Sequence, residues 1–152
     1  MSGRSSQSSQ AGQARHNRQP GHARQTRHLT VAEVTAIARI AFGGRGDGPA
    51  PEVREAGLFV SAVHRPRARM FGTAAYEDLY EQAAALLHAI ATNHPLVDGN
   101  KRTAWLAAAT FLGVNGVDLT GCDQDIAYDL VIDVASGDES DISVIAGRLR
   151  EL

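Results

Sequence analysis

The residues of this chain best suited to chemistry crowd into one stretch, His94-Pro95-Leu96-Val97-Asp98-Gly99-Asn100-Lys101-Arg102-Thr103. Histidine is the side chain that exchanges a proton near neutral pH, so His94 can act as a general base toward a hydroxyl. Asp98 offers the hard carboxylate oxygens that suit a magnesium ion bridging nucleotide phosphates. Gly99 allows the backbone to come close to a ligand. Lys101 and Arg102 add two cations, and the guanidinium of Arg102 can meet an oxyanion with two donors. A helix starting near Asn100 would aim the amides of residues 99–102 at whatever fills the loop, because the first N–H groups of a helix lack internal acceptors and carry its positive dipole end. These are the parts of a site for phosphoryl or nucleotidyl transfer. Each piece alone is an ordinary turn, helix end or solvated pair; the combination carries the reading. Residues 99–103 are not a P-loop, since the first glycine and a preceding strand are missing.

Helices must position this stretch. Thr30 with Glu33 forms a capping box, flanked by Leu29 and Val34 as a hydrophobic staple. A first helix then carries Val34, Ile37, Ala38 and Ala41 to a stop at Phe42-Gly43-Gly44, followed by a Gly- and Pro-rich loop. A second helix is expected over residues 52–65, with Val53, Ala56, Val60 and Val63 on one side. The basic segment 65–72 reads as exposed, able to contain a short hairpin and to act as a flap beside the central loop. A third helix, residues 76–93, has Leu79, Ala83, Leu86, Leu87 and Ile90 on one stripe, with His88 beside it as a packing residue. Residues 103–114 are apolar nearly all round, which predicts the buried central helix of the fold, ended by Asn115-Gly116. Two amphipathic helices complete the chain, one bearing Ile126, Leu130, Val131 and Val134, the other Ile142, Ile145, Leu149 and Leu152. No alternating strand pattern competes, so the expected class is all-α, about six helices around a buried one.

Composition bounds the partners. A chain of 152 residues suits one domain. Cys122 is the only cysteine, which excludes a disulfide framework or a cysteine-based zinc site and suits a reducing cytoplasm. No apolar run is long enough for a membrane span, and the N-terminus lacks the apolar core of a secretory signal. Five of the fifteen Lys and Arg residues, and none of the seventeen acids, fall in residues 1–28, leaving the remainder at net −7. Residues 1–28 are thus expected to be a disordered basic tail, poor in side chains that could offset chain entropy, and residues 29–152 the folded domain. The histidines His16, His22 and His28 match no ordinary metal spacing. An acidic body argues against nucleic acid as a partner, because phosphate neutralisation dominates that affinity.

The stretch from His94 to Arg102 resembles the signature of the Fic/Doc family, and specifically its death-on-curing toxin branch. The likeness extends to Val53-Arg54-Glu55-Ala56-Gly57-Leu58, to Ser61-Ala62-Val63 with Arg65-Pro66, and to residues 83–116. It implies a toxin of a type II toxin–antitoxin system, with ATP and Mg2+ as cofactors, a cognate antitoxin as partner and a protein hydroxyl as acceptor. By the same resemblance His94 would be the base, Asp98 the magnesium ligand, and Gly99, Asn100, Lys101 and Arg102 the phosphate cradle. Fic adenylyltransferases carry a second glycine where this chain has Lys101, and an arginine where it has Trp105; Leu96 replaces the usual phenylalanine. A lysine would fill and re-charge a pocket that glycine leaves open. The Doc branch has that lysine, and its best-known member phosphorylates a threonine of elongation factor Tu. The resemblance therefore implies transfer of a phosphoryl group to a Ser or Thr of a translation factor, with AMP transfer or a catalytically silent binding module as the alternatives. The family's inhibitory motif has no counterpart beyond residues 73–78, which end in Asp78 and should not serve, so a separate antitoxin segment is expected to dock near the loop.

Overall fold

The computed structural model describes residues 25–43 and 49–152; the expectations for the tail residues 1–24 and for the glycines at 44, 46 and 48 lie outside the described residues. The first helix, α1 (Val31–Gly43), starts where its capping box predicts. The Thr30 amide donates to Glu33 Oε1 at 3.0 Å and the Glu33 amide to Thr30 Oγ1 at 3.1 Å, so two amides without helical acceptors are satisfied reciprocally. Described structure begins slightly ahead of that cap. The Arg27 amide donates to Asn115 Oδ1 and Asn115 Nδ2 returns a bond to Arg27 O, while the Arg27 guanidinium pairs with Glu33. His28 stacks on Phe111, ring centroids 5.9 Å apart. The chain is therefore fastened across the far end of the domain before α1 begins.

The second helix is shorter than its periodicity suggests. It runs Ala56–His64 (α2) and buries Phe59, Ala62 and Val63, whereas Val53 and Val60 are exposed. Residues 52–55 are not helical, because the backbone of 52–54 pairs with the central loop instead of continuing a helix. After a 3₁₀ turn at Arg65–Arg67, the hairpin that residues 65–72 could contain is present and runs two residues further, as β1 (Arg69–Met70) and β2 (Thr73–Ala74), with Arg69 opposite Ala74 and Met70 opposite Thr73. Its two turn residues, Phe71 at φ 52 and Gly72 at φ 79, have the positive dihedrals that a tight hairpin requires. Arg65 roots the hairpin in the domain, donating from Nε to Tyr76 Oη at 3.3 Å and from Nη1 to His88 Nδ1 at 2.7 Å. His88 is thus a packing residue with a cation for a neighbour.

The innermost helix is α3 (Leu79–Asn93), where residues 82–87 and 89–91 are all buried. It packs against α2, α4 (Asn100–Val114), α5 (Gln124–Ser136) and α6 (Ile142–Arg150). Alanines at 83, 84, 85, 89 and 91 make this possible, since short side chains let several helices approach one axis. The near-continuous apolar pattern of α4 pointed to that helix as the enclosed one. In the fold α4 buries one side, Thr103, Ala104, Ala107, Ala108, Phe111 and Leu112, while Trp105 and Leu106 are half-buried and Val114 is exposed. Gly116, at φ 96, turns the chain after it. The last helices carry aspartate caps, Asp123 and Asp141, each accepting two amides of the first turn. On α5 it is Ala127, not Ile126, that joins Leu130, Val131 and Val134 in the core. Arg148 pairs with Asp133, and Arg150 pairs with Asp78 while lying over the Tyr80 ring. The result is an all-α fold, with six helices among the described residues.

Two histidines make the fold sensitive to acid. Burial, and then the neighbouring Arg65, lowers the pKa of His88; burial, and then Arg67, lowers that of His28. Both are held neutral in the native state more firmly than in the unfolded chain. Stability is therefore complete above about pH 6.5, the ordinary histidine value, and declines as the pH falls below it. Melting temperatures measured from pH 7.5 to 5 should decline accordingly. His88→Asn, which keeps an acceptor for Arg65 but cannot be protonated, should flatten part of that decline; an unchanged slope in the variant would refute the assignment.

Candidate functional site

The loop between α3 and α4 is held along both of its edges. On one side residues 52–54 form a short antiparallel pairing with it: Val53 bridges Leu96, the Val97 amide donates to Glu52 O at 3.0 Å, and the Arg54 amide donates to Pro95 O at 2.9 Å. On the other side the Asn100 carboxamide accepts the Leu96 amide and donates to Leu96 O, both at 2.9 Å. The Leu96 side chain is buried in the core, so leucine serves as the apolar anchor in place of the larger phenylalanine. This changes the part that Asn100 plays. Its side chain is committed to the loop, and what it leaves available to a ligand is its backbone amide.

The turn into α4 is closed by two further features. Asp98 Oδ1 accepts the Gly99 amide at 2.7 Å, which removes that amide from the set expected to face a ligand. Gly99 itself has φ 79 and ψ 17, the left-handed region. The dihedral calls for glycine, and a Cβ there would lie 3.0 Å from Cε2 of the Phe42 ring, which would have to shift to admit it. The first helical bond of α4 runs from the Thr103 amide to Gly99 O at 2.9 Å. Among the described residues, the amides of Asn100, Lys101 and Arg102 have no backbone acceptor, and a free helix N-terminus is a ready anion site.

These amides border a cleft of about 900 Å³, within the range of small-ligand sites and open enough for a nucleotide. His94, Asp98, Gly99, Asn100, Lys101 and Arg102 all line it, so the structure brings together every candidate site residue of the sequence. His94 caps α3 in the left-handed conformation, φ 46 and ψ 57. Lys101 is exposed and forms no ion pair among the described residues. Arg102 donates from Nη1 to Ala41 O at 3.0 Å, which steadies the C-terminal end of α1 and uses one of the donors that a bidentate anion contact could draw on. No three acidic, histidine or cysteine side chains form a metal cluster among the described residues. Asp98 keeps one carboxylate oxygen outside its turn bond. That donor set fits a magnesium ion that brings phosphate oxygens and water as its other ligands, the usual habit of that ion.

Sequence reasoning missed the rest of the cleft. Phe42 at the end of α1, Trp105 on α4, and Gln124, Asp125 and Tyr128 on α5 are among the further residues that line it. Phe42 and Tyr128 are half or more exposed, at 50% and 65%, and leave aromatic surface at the cleft. The one local signal for Tyr128 is its place off the apolar stripe of α5. Its proximity to a loop about thirty residues earlier comes from the tertiary packing alone.

Comparison with known proteins agrees with this geometry. The model of the Fic/DOC family matches residues 28–112, more than half of the chain. The Toxin Doc of Mycolicibacterium smegmatis is 48% identical over 125 residues, covering 82% of this chain and 92% of that protein. The protein kinase doc of Escherichia phage P1 is 36% identical over 132 residues, covering 83% of this chain and 95% of that protein. The matched span runs through the capping box, the paired loop and the amide cradle: the chain belongs to the Fic/DOC family.

Proposed function

We propose that this protein is the toxin of a toxin–antitoxin pair and transfers the γ-phosphoryl group of ATP to a Ser or Thr hydroxyl of a protein, with a translation factor such as elongation factor Tu as the target class. The observation that carries this reading is the convergence of His94 and the three unbonded amides of residues 100–102 on one cleft. The amides and the Lys101 ammonium hold and neutralise the phosphates. His94 accepts the proton of the attacking hydroxyl as its oxygen bonds to the γ-phosphorus; the bond to the bridging oxygen breaks, and ADP leaves. Asp98 would hold a magnesium ion, whose chemistry when bound is to offset negative charge on the phosphates. The lysine at position 101 favours phosphoryl over AMP transfer, since its side chain occupies space and adds charge where adenylyltransferases have glycine. The names of the two relatives, one a toxin and one a kinase, point the same way. No helix among the described residues is long and apolar enough to cross a membrane, and a translation-factor target would place the action in the cytoplasm. The exposed apolar rim formed by Phe42, Val97 and Tyr128 is a suitable seat for an antitoxin segment.

Three outcomes are expected. With a cell extract, label should reach protein from γ-labelled ATP and not from α-labelled ATP; labelling from the α-position alone would replace phosphoryl by AMP transfer. His94→Ala should lower transfer by about 10²–10⁴-fold, the usual worth of a general base, and abolish growth inhibition on expression. Persisting inhibition would instead indicate a silent binding module. Gly99→Ala should weaken ATP binding at least tenfold, because strain of about 1–2 kcal/mol and the Phe42 contact deform the turn that aims the amides; calorimetry giving wild-type affinity would remove the cradle from the account.

A further inference from the structure

Helix α3 ends without the glycine that commonly takes the left-handed position after a helix. His94 takes it instead, at φ 46 and ψ 57, a conformation that costs a residue with a side chain about 1–2 kcal/mol. Something outside the helix must hold it there. Arg54, forty positions earlier, donates from Nε to His94 O at 2.8 Å and from Nη2 to Asn93 O at 2.9 Å, and its own amide donates to Pro95 O at 2.9 Å. Three successive carbonyls are thus bonded by one residue.

The geometry of those bonds has a specific effect. Asn93 O and His94 O belong to the two peptide planes that flank the His94 Cα. A guanidinium is planar and its donors keep a fixed mutual angle, so a fork that bonds both carbonyls fixes how the two planes are rotated about that Cα. This sets φ and ψ of His94, and hence the direction in which its Cα–Cβ bond leaves the backbone. The charge also lies at the negative end of the α3 dipole, where a cation is favoured. Arg54 does not itself line the cleft. Its side chain is also not what joins the loop to residues 52–54, since the two backbone bonds of that pairing do not involve it.

We propose that Arg54 is the positioning residue for His94: its guanidinium holds the histidine backbone in the left-handed conformation that directs the imidazole at the reacting hydroxyl. This inference rests on His94 being the base of the proposed transfer. A small misplacement of a catalytic group costs up to about a hundredfold in rate, and the cost should fall on turnover rather than on nucleotide binding.

The test uses the full chain and its label transfer from ATP, with thermal melting as the control for folding. Arg54→Ala should lower kcat by about 10- to 100-fold while leaving KM for ATP within about twofold. Arg54→Lys, which keeps the charge but loses the fork, should fall between that variant and the wild type. In a His94→Ala background, Arg54→Ala should cost nothing further, because a residue that acts through the imidazole has nothing left to position. A folded Arg54→Ala protein with wild-type kcat would overturn the proposal, as would a loss confined to KM or an undiminished loss in the His94→Ala background. If the alanine variant proves unfolded, the lysine variant carries the same comparison, and wild-type kcat there is equally fatal. Wild-type activity in His94→Ala alone would overturn the role of the base and this inference with it. An inert His94→Ala beside an unaffected Arg54→Ala would overturn this inference only.

Discussion

The site depends on one irregular loop being held from two directions. Between α3 and α4 the chain has to reverse, and residues 94–99 do so without regular structure of their own. Pairing with residues 52–54 fixes one edge, and the Asn100 carboxamide imitates a second backbone strand on the other. Loop backbone normally gives up its hydrogen bonds to water and moves accordingly. Here both hydrogen-bonding groups of Leu96 are taken by Asn100, its side chain is buried, and the flanking residues are bonded to the extended segment. The amides that follow inherit a fixed direction, and an anion site built from amides needs little else.

The core serves this arrangement by being shallow in side chain and dense in backbone. Five alanines on α3 bring its neighbours close to its axis. Both ends that define the site, the last turn of α3 and the first turn of α4, then project from the most tightly surrounded pair of helices in the fold. A loop can be positioned no better than the helices it joins. Large residues at those alanine positions would spread the bundle, and the relative placement of His94 and residues 100–102 would spread with it.

Local chemistry was legible in the sequence, and long-range pairing was not. The capping box at Thr30 and Glu33 and the turn at Asn115-Gly116 are set by neighbouring residues and stand where the sequence places them, and the hairpin that residues 65–72 could contain is present, extended to Ala74. The start of α2 was misplaced because Val53 fits a helical stripe; its pairing with Leu96, more than forty residues away, has no local signature. Burial of α4 was over-read for a related reason. Apolar residues on every side predict an enclosed helix, yet Trp105 turns toward the cleft and Val114 toward solvent. In the candidate site, the residues that the sequence singles out within one loop all line the same cleft. What the sequence could not convey was that Asn100 would spend its side chain on the loop, or that α1 and α5 would supply the opposite wall.

The electrostatics follow from how two helix ends of opposite sign are treated differently. The folded part of the chain is acidic, net −7 outside the first 28 residues, and should repel a triphosphate at long range. At the loop, however, the negative end of α3 and the positive end of α4 lie only a few residues apart. Arg54 satisfies the carbonyls of the first, so that end presents little uncompensated negative charge to the cleft. The Asp98 carboxylate takes the Gly99 amide, while the amides of residues 100–102 are left without backbone partners and Lys101 lines the same cleft. Neutralising one dipole and sparing the other turns two opposing helix ends into a net local attraction for anions. The repulsion from the acidic body acts over about a Debye length and is screened by salt, whereas contact with the amides is not. The local field at the loop is thus set by which carbonyls and amides are already taken, more than by the overall charge of the protein.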